Sequence, residues 1–436
     1  MLNDSKLAAA SATVQDPASA TDATAMPSFK ARKPSALQSM LIRVGTWLLT
    51  RQSLQWLLRT LWPIVRLPFG WAAVTRYDDV AEVLTHQDVF RVPFDAEIAR
   101  LNDGEAPGTA FLLGIDDPSE HRDQQQLVMR AFKRTDVERL VTPIARRSAQ
   151  DIIAGARDGK IDAIQQLITR VPLDLCVQYY GVDIPGKQQD FVDATIAVSG
   201  HLFGPPPIQP KPASDEAAAY VRWVVDRAID RELENPGNAD TVLARLVAMR
   251  QAGHLTPRQI RAFLMGMIIG FVPTNTIAGG NILEMLLRER AIKAEACAAA
   301  ISGDDDLLKH CLFEALRFMP HNVGPFRICS RDYTVAADTP RATKIKRNTK
   351  VLAWTMSAMF DSRQVDAPFE FRPGRPASNS MLFGYGMHWC VGAFIAQAQI
   401  TQTFKVLLRQ PELERAGKPE RRGGFPHRLP VRFHPA

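Results

Sequence analysis

The sequence predicts a mainly α-helical protein with small β-sheets, an α+β fold. In two long stretches, 120–156 and 217–251, apolar residues recur at helical spacing. A third stretch, 262–283, holds no charged residue, which predicts a long helix through the core. The strand signal is weaker: residues 71–76 have the composition of a short strand, and a helical pattern follows at 77–84.

Length and composition narrow the class of protein. A chain of 436 residues allows about three domains of roughly 150 residues or one large enzyme domain, and we favour the single domain. The 46% hydrophobic, 23% charged and 8% aromatic content excludes disordered, collagen-like and polytopic membrane chains. The net charge of +7 is typical of a protein that binds an acidic partner or an anionic surface, and a basic surface without such a role is the alternative. It does not predict nucleic-acid binding.

The five cysteines do not form a framework. Cys176, Cys297, Cys311, Cys329 and Cys390 are an odd number, lie far apart and include no CxxC pair. This spacing fits neither a set of disulfides nor a zinc ribbon, so we expect a reducing compartment, and a cytoplasmic location.

The N-terminal region has two parts. Residues 1–36 are rich in Ala, Ser, Thr, Asp and Pro and lack the basic start and apolar core of a secretory signal, which predicts a disordered tail. Residues 37–70 predict an amphipathic helical segment, in which arginines interrupt any apolar run long enough to span a membrane. We expect this segment to pack on the body of the protein, and a peripheral membrane contact is the alternative.

The uncharged stretch at 262–283 is long enough to span a membrane, but Pro273, Thr274, Asn275 and four glycines favour a buried core helix. Pro273 has no N–H, so the carbonyl of Ile269 loses its helical partner, and the ring clashes with the preceding turn at a cost of about 3 kcal/mol. We therefore expect a bend and a polar notch here; a packing kink without chemistry is the alternative. A proline-rich loop at 205–212 is a candidate lid.

The strongest motif is Phe-Gly-Tyr-Gly-Met-His-Trp-Cys-Val-Gly at 383–392, directly before a helical pattern. Its glycines allow a tight loop that brings backbone N–H groups close to one atom. Cys390 stands at the junction of loop and helix, where the helix dipole favours a thiolate. A thiolate held in this way is a strong axial ligand for haem iron.

This motif resembles the haem-binding loop of the cytochrome P450 family, F-G-x-G-x-H-x-C-x-G, at every fixed position. Two further family signatures precede it in the right order, E-x-x-R at 314–317 and F-x-P-x-R at 371–375, and the resemblance extends over most of the chain from residue 71. It implies a cytochrome P450-type domain at 71–436 that binds haem b (iron protoporphyrin IX).

The resemblance also implies roles for individual residues. Cys390 would be the axial iron ligand and Phe383 would shield its sulfur. The haem loop would be shaped and lined by its glycines, Gly384, Gly386 and Gly392. A buried, structural ion-pair network would be formed by Glu314, Arg317 and Arg375.

The two haem propionates need donors once they are buried. By position, His121, Arg327 and His388 match the propionate partners of the family. The family usually has an arginine four residues after the first histidine, and here that residue is Gln125. One charge-assisted bond to haem is therefore weakened or replaced.

The central helix departs from the family pattern. Gly270 and Thr274 keep their positions, but Pro273 replaces the acid that normally relays protons to iron-bound dioxygen. Thr274 can hydrogen-bond an oxygen atom but cannot supply a carboxyl proton. Asn275 with ordered water is the candidate substitute, and we expect proton delivery to suffer.

Three functions remain open. The favoured one is a monooxygenase that inserts one atom of O₂ into an apolar small molecule, with electrons from a separate partner. The alternative is a peroxygenase or hydroperoxide-rearranging enzyme, because a peroxide makes the missing acid dispensable. The third is a haem-binding protein without turnover.

The chain has no flavin or iron–sulfur motif, so a monooxygenase needs an outside electron donor. A ferredoxin-type partner is predicted to dock on the basic residues Arg122, Arg130, Lys133 and Arg134. Segments expected to line the substrate pocket, at 111–115, 203–212, 271–274 and 323–326, are apolar and indicate a lipid-like, terpenoid or aromatic substrate.

Overall fold

A computed structural model describes residues 26–27, 29, 40, 44–45, 47–103, 111–204, 211–237, 239–422 and 424–434. The expected disordered tail at 1–36 lies almost entirely outside these residues, as does most of the proline-rich loop at 205–212. The α-helices are Gln52–Leu61, Tyr77–Thr85, Asp95–Leu101, Pro118–Ala131, Thr142–Gly155, Arg170–Gln178, Gln188–Phe203, Lys211–Glu234, Val242–Gln251, Pro257–Arg288, Arg290–Ser302, Asp305–Phe318, Thr355–Ala358 and Ala393–Leu408.

Within the described residues, the strands are short and form four small sheets. They are β1 (Ile64–Leu67), β2 (Trp71–Val74), β3 (Phe90–Arg91), β4 (Lys160–Asp162), β5 (Phe326–Cys329), β6 (Tyr333–Val335), β7 (Thr343–Ile345), β8 (Lys350–Ala353), β9 (Glu414–Arg415), β10 (Glu420–Arg422), β11 (Phe425–Arg428) and β12 (Pro430–Arg432). The predicted mainly helical fold with small sheets is confirmed.

The predicted core helix is Pro257–Arg288, which we call the central helix. It begins with a capping box, in which the Thr256 hydroxyl accepts from the Gln259 N–H and the Gln259 side chain accepts from the Thr256 N–H. It is long and apolar enough to cross a membrane, but 72% of its apolar window is buried inside the protein. Its apolar character therefore reflects the core, and its backbone continues through Pro273 as helix.

The predicted helical stretches 120–156 and 217–251 are each interrupted, the second between the helices Lys211–Glu234 and Val242–Gln251. Between Pro118–Ala131 and Thr142–Gly155 the chain turns at Asp136, whose buried carboxylate accepts hydrogen bonds from Arg139 at 2.7 Å and Tyr179 at 3.1 Å. Periodicity alone did not predict this break, because the partner that fixes the turn lies 43 residues away.

The largest sheet has five strands in the order β1-β2-β8-β5-β3. β1 and β2 form an antiparallel hairpin, β2 runs parallel to β8, and β8 pairs antiparallel with β5. β1 lies inside the segment 37–70, for which the sequence predicts a helix. The helix ends before Pro63, whose carbonyl accepts from the Thr75 N–H at 3.0 Å, so the chain continues as an edge strand. The first sheet thus begins before residue 71, where we placed the domain boundary.

Glu314 and Arg317 form a buried ion pair at the end of the helix Asp305–Phe318. The Glu314 carboxylate also accepts from Arg375 Nε at 2.9 Å and from the Arg372 N–H at 3.0 Å. Burial raises the pKa of Glu314, but the hydrogen bonds and charges of its partners outweigh burial and leave this pKa below its ordinary value. The two arginines thus fasten the helix to the segment 359–375.

Arg317 is the centre of this fastening. Its guanidinium donates to the carbonyls of Met359 at 3.2 Å and Pro368 at 2.8 Å, and lies 4.6 Å and 4.5 Å from the ring centres of Phe318 and Phe360. Because the guanidinium is almost fully satisfied, it stabilises a loop that has few backbone hydrogen bonds of its own.

We expect Arg317→Met to lower the free energy of unfolding by about 3–5 kcal/mol, because it leaves the buried Glu314 carboxylate without its main partner. Urea unfolding of the purified protein measures this. Lys309→Met on the same helix removes an ion pair with the exposed Asp306 and is the control, with an expected change below about 1 kcal/mol. Equal losses in the two variants would contradict a special role for the buried pair.

Candidate active site

The loop 383–392 is held by its own backbone. The Cys390 N–H donates to the Phe383 carbonyl at 2.9 Å, and the Trp389 N–H donates to the Gly386 carbonyl at 3.1 Å. The helix Ala393–Leu408 starts directly after the loop. Cys390 therefore stands at the N-terminal end of a 16-residue helix, as the sequence predicts.

Gly386 is the residue that the loop geometry most requires. Its φ is +70°, and a Cβ atom at this position would lie 2.6 Å from the backbone oxygen of Leu84. Gly384, with φ +80°, also needs the left-handed region, although its surroundings are open. The loop can therefore pack against the helix Tyr77–Thr85 only with glycine at 386.

The Cys390 thiol lies deep within the protein but has accessible surface. Burial raises its pKa, and a hydrogen bond from the Gly392 N–H opposes that rise. A Cβ atom on Gly392 would lie 4.0 Å from the sulfur and 3.5 Å from Met267 Cε, so the sulfur faces the central helix. An apolar setting with one N–H donor suits a thiolate that is bound to a metal.

His121, Arg327 and His388 come together although they are far apart in the sequence. The rings of His121 and His388 are 5.0 Å apart, edge to face. Arg327, on β5, lies close enough to lower the pKa of His388. Asp116 is a fourth member, with its Oδ1 3.5 Å from His388 Nε2.

This cluster is rich in buried hydrogen-bond donors and holds one carboxylate, Asp116. Burial is the main cause that lowers the pKa of His121 to about 4 and that of Arg327 to about 10, and it also lowers the pKa of His388. Asp116 opposes these shifts but is already engaged by the Val92 N–H at 3.1 Å. Apart from the long contact of Nε2 with Asp116, the ring nitrogens of His388 have no hydrogen-bond partner among the described residues.

Buried donors without acceptors are costly unless a ligand satisfies them. A group that brings two carboxylates would supply acceptors to His388 and His121 and opposite charge to Arg327. The residues present therefore fit the two propionates of a haem whose iron Cys390 would bind.

On the central helix, three consecutive polar side chains bind carbonyls one turn back. The Thr274 hydroxyl donates to the Gly270 carbonyl, Asn275 Nδ2 to that of Phe271 at 2.7 Å, and the Thr276 hydroxyl to that of Val272 at 2.9 Å. These bonds start directly after Pro273, where the backbone has lost one donor. Thr274 is partly accessible, whereas Asn275 and Thr276 are buried.

Asn275 has a structural contact that the sequence did not reveal. Its Oδ1 accepts a hydrogen bond of 3.3 Å from Gln399 Nε2, on the helix that follows Cys390. Asn275 thus links the central helix to the cysteine helix, and its use in proton relay stays a prediction. Gln399 Oε1 is buried without a partner.

Sequence reasoning missed Asp116, Gln399 and Tyr180. The Tyr180 hydroxyl is buried and has no hydrogen-bond partner among the described residues. The pKa of this phenol is raised far above its ordinary value by burial, with Cys176, Tyr179 and Cys390 as further causes. Asp116 lies next to Asp117, the N-cap of the helix Pro118–Ala131, and the sequence pattern did not single it out. For Gln399 and Tyr180 nothing in the local pattern distinguishes them from ordinary helical residues.

The comparisons with known proteins agree with this geometry. A sequence model of the family "Cytochrome P450" matches residues 225–423. The chain is 27% identical to the steroid C26-monooxygenase of Mycolicibacterium smegmatis, over 88% of this chain and 93% of that protein. It is 25% identical to the methyl-branched lipid omega-hydroxylase of Mycobacterium tuberculosis, over 83% of each. The solved structure of CalO2 superposes with a TM-score of 0.74 at 20% identity, over 92% of this chain and 99% of that chain.

We expect His121→Leu to release haem about tenfold faster than the unaltered protein, because one donor to a buried carboxylate is worth about 1.5–3 kcal/mol. Transfer of haem to an excess of an apo-globin acceptor measures the rate. His310→Leu, at an exposed position of the helix Asp305–Phe318, is the matched control and should release haem at the unaltered rate. Unchanged release from His121→Leu would remove this residue from the propionate site.

Proposed function

The chain belongs to the cytochrome P450 family, and from this premise we propose that it binds haem b through Cys390 and oxidises an apolar small molecule. It is a monooxygenase, like its named relatives. The observation that carries the proposal is the setting of Cys390: an interior thiol that accepts from the Gly392 N–H at the start of a helix.

Haem, when bound, supplies the reduction of dioxygen and the insertion of one oxygen atom into the substrate. The protein's own residues hold and tune it. The Gly392 N–H and the helix dipole stabilise the thiolate form of Cys390. Phe383 packs against Phe313 and Trp389, with ring centres 5.6 Å and 6.3 Å away, and we propose that it shields the sulfur from water. His121, Arg327 and His388 hold the propionates.

Thr274 is the proposed proton-handling residue on the substrate side. Its hydroxyl donates to the Gly270 carbonyl, so its oxygen can accept a hydrogen bond from a water molecule. Pro273 cannot carry a proton, and Asn275 can orient a water without titrating. We therefore propose a relay of ordered water and Thr274, slower than one that includes a carboxyl group.

The substrate is proposed to be an apolar molecule of the size of a steroid or a branched lipid. The relatives are named for a steroid and a methyl-branched lipid. In this chain Phe111 and Phe271 are buried, and Phe111 lies against Gly266 of the central helix, 3.4 Å from the position of a Cβ atom there. These side chains offer contact area without charge, which suits such a substrate.

Electrons are proposed to come from a ferredoxin-type partner. Arg122, Arg130, Lys133 and Arg134 are all exposed, on or directly after the helix that carries His121. Trp389, next to Cys390, is 47% exposed. A basic surface with one apolar contact beside the thiolate loop suits an acidic electron carrier. For residues 37–70, the sequence favours packing on the body of the protein, with a peripheral membrane contact as the alternative.

The peroxide-dependent alternative rests on Pro273 alone, and the named relatives are monooxygenases and hydroxylases. One experiment separates the two routes. Purified ferric protein is supplied either with NADPH, a surrogate ferredoxin system and O₂, or with hydrogen peroxide alone, and product from a steroid substrate is measured. We expect product from the first mixture and none from the second. Cys390→Ser should abolish both, and product from peroxide alone would favour the alternative.

We expect Thr274→Val to lower product per electron pair by about tenfold or more while O₂ consumption continues, since general acid–base catalysis contributes at least that much. Thr276→Val is the matched control, because the Thr276 hydroxyl bonds Thr169 and the helix backbone away from this role. Simultaneous measurement of NADPH, O₂ and product gives the ratio. Equal coupling in both variants would exclude Thr274 from the relay.

A further inference from the structure

The surface at the N-terminal end of the described chain is strongly apolar. Within residues 47–69, many large apolar side chains are exposed, among them Trp56 at 55%, Trp62 at 59% and Phe69 at 98%. We call this set the N-terminal apolar surface; its members are Trp47, Leu48, Trp56, Leu57, Leu61, Trp62, Leu67 and Phe69. Elsewhere in the described ranges, exposed large apolar residues are scattered. A concentration of this kind marks an interaction site.

The helix Gln52–Leu61 buries two polar side chains and exposes several apolar ones. Its fully buried side chains are the polar Gln55 and Arg59. Gln55 donates to the Leu49 carbonyl at 2.7 Å, and Arg59 donates to the carbonyl and hydroxyl of Ser357 at 2.9 Å. A surface helix usually buries its apolar stripe. The bonds of Arg59 to Ser357 and the partly buried Leu58 hold the helix on the core, while Trp56, Leu57 and Leu61 are exposed.

The tip of the hairpin β1–β2 exposes an aromatic ring to solvent on a strained backbone. Phe69 has a φ of 62°, in the left-handed region that bulky residues avoid, and its side chain is almost fully exposed. The preceding Leu67 is half exposed. Backbone strain at a residue without interior contacts points to a contact outside the chain.

Basic residues surround this tip. Arg66, on β1, is exposed, and the turn between β7 and β8 carries the exposed Lys346 and Arg347. The Lys350 N–H donates to the Gly70 carbonyl at 2.8 Å, which sets this turn beside the tip. One acidic residue, Asp332, lies at this turn. Its carboxylate accepts from the Arg347 N–H and pairs with Lys344 at 2.9 Å. The balance around the tip remains positive.

We propose that the N-terminal apolar surface docks on an anionic phospholipid bilayer. Trp56, Trp62 and Phe69 lie at the boundary of headgroups and acyl chains, where amphipathic and aromatic rings are favoured. Arg66, Lys346 and Arg347 contact lipid phosphates. Tryptophans, a strained aromatic tip and flanking cations suit a lipid surface, whereas an ordinary protein interface core is depleted in such charges. The contact is peripheral, because arginines interrupt 47–69 and the central helix is buried.

The test uses the full-length, haem-loaded protein. It is mixed with vesicles of phosphatidylcholine and phosphatidylglycerol in equal amounts, and separately with pure phosphatidylcholine vesicles, and flotation measures the bound fraction. We expect binding to the anionic vesicles that is weaker by about tenfold or more on neutral vesicles or at 1 M salt. The Debye length at 1 M ionic strength is about 3 Å, so salt screens the attraction to lipid phosphates.

Two variants and one control locate the contact. Trp56→Ser with Phe69→Ser, and separately Lys346→Glu with Arg347→Glu, should each weaken binding to anionic vesicles by about tenfold or more. Ile301→Ser, which removes a side chain that is 67% exposed on the helix Arg290–Ser302, should bind like the unaltered protein. An unchanged haem spectrum shows that each variant is folded.

Three outcomes would overturn the proposal. In the first, the unaltered protein fails to float with anionic vesicles. In the second, the Trp56/Phe69 variant floats as well as the unaltered protein. In the third, light scattering finds a concentration-dependent dimer that the Trp56/Phe69 variant abolishes, without vesicle binding, which would make this face a contact between two copies of the chain. None of these outcomes bears on oxygenation, which depends on Cys390 and Thr274.

Discussion

The position of Cys390 depends on an ion pair that lies outside the haem loop. Glu314 and Arg317 are buried on one helix and fasten the segment 359–375, which leads directly into the loop that carries the cysteine. Replacing such a pair by apolar residues costs little in many proteins, but removing one partner costs several kcal/mol. Its value here is that it fixes an irregular segment, with few backbone hydrogen bonds of its own, at one position.

The central helix solves a second problem, a proline inside a buried helix. Pro273 removes one backbone donor, and the side chains of Thr274, Asn275 and Thr276 bind carbonyls of the same turn. These bonds concentrate polar atoms where the helix passes the proposed oxygen site. Asn275 also accepts a hydrogen bond from Gln399, so the central helix and the helix that follows Cys390 are joined by a buried polar contact. The loss of the usual acid is thus accompanied by a local polar network rather than by an apolar replacement.

The cluster of His121, Arg327 and His388 shows why cofactor and fold belong together. All three side chains are largely buried, their pKa values are lowered by burial, and one carboxylate, Asp116, faces them. Two propionates would supply acceptors for these buried donors. Haem binding is therefore expected to stabilise the fold as well as to enable chemistry, since a ligand that binds only the folded state shifts the folding equilibrium.

The sequence by itself determined the mainly helical class, the family, and the cysteine loop, because these depend on local periodicity, glycine positions and short motifs. The confirmed central helix at 257–288 is of this kind. Tertiary structure alone decided the edge strand β1, the contact of Asn275 with Gln399, and the outward turn of Trp56. The contact of Asn275 with Gln399 joins residues 124 positions apart. Trp56 faces outward on a helix whose Arg59 is anchored by Ser357, 298 positions away. β1 forms because the helix ends before Pro63 and the chain folds back to pair with β2. A pattern along the chain records which residues are apolar, but only the packed structure decides what each of them touches.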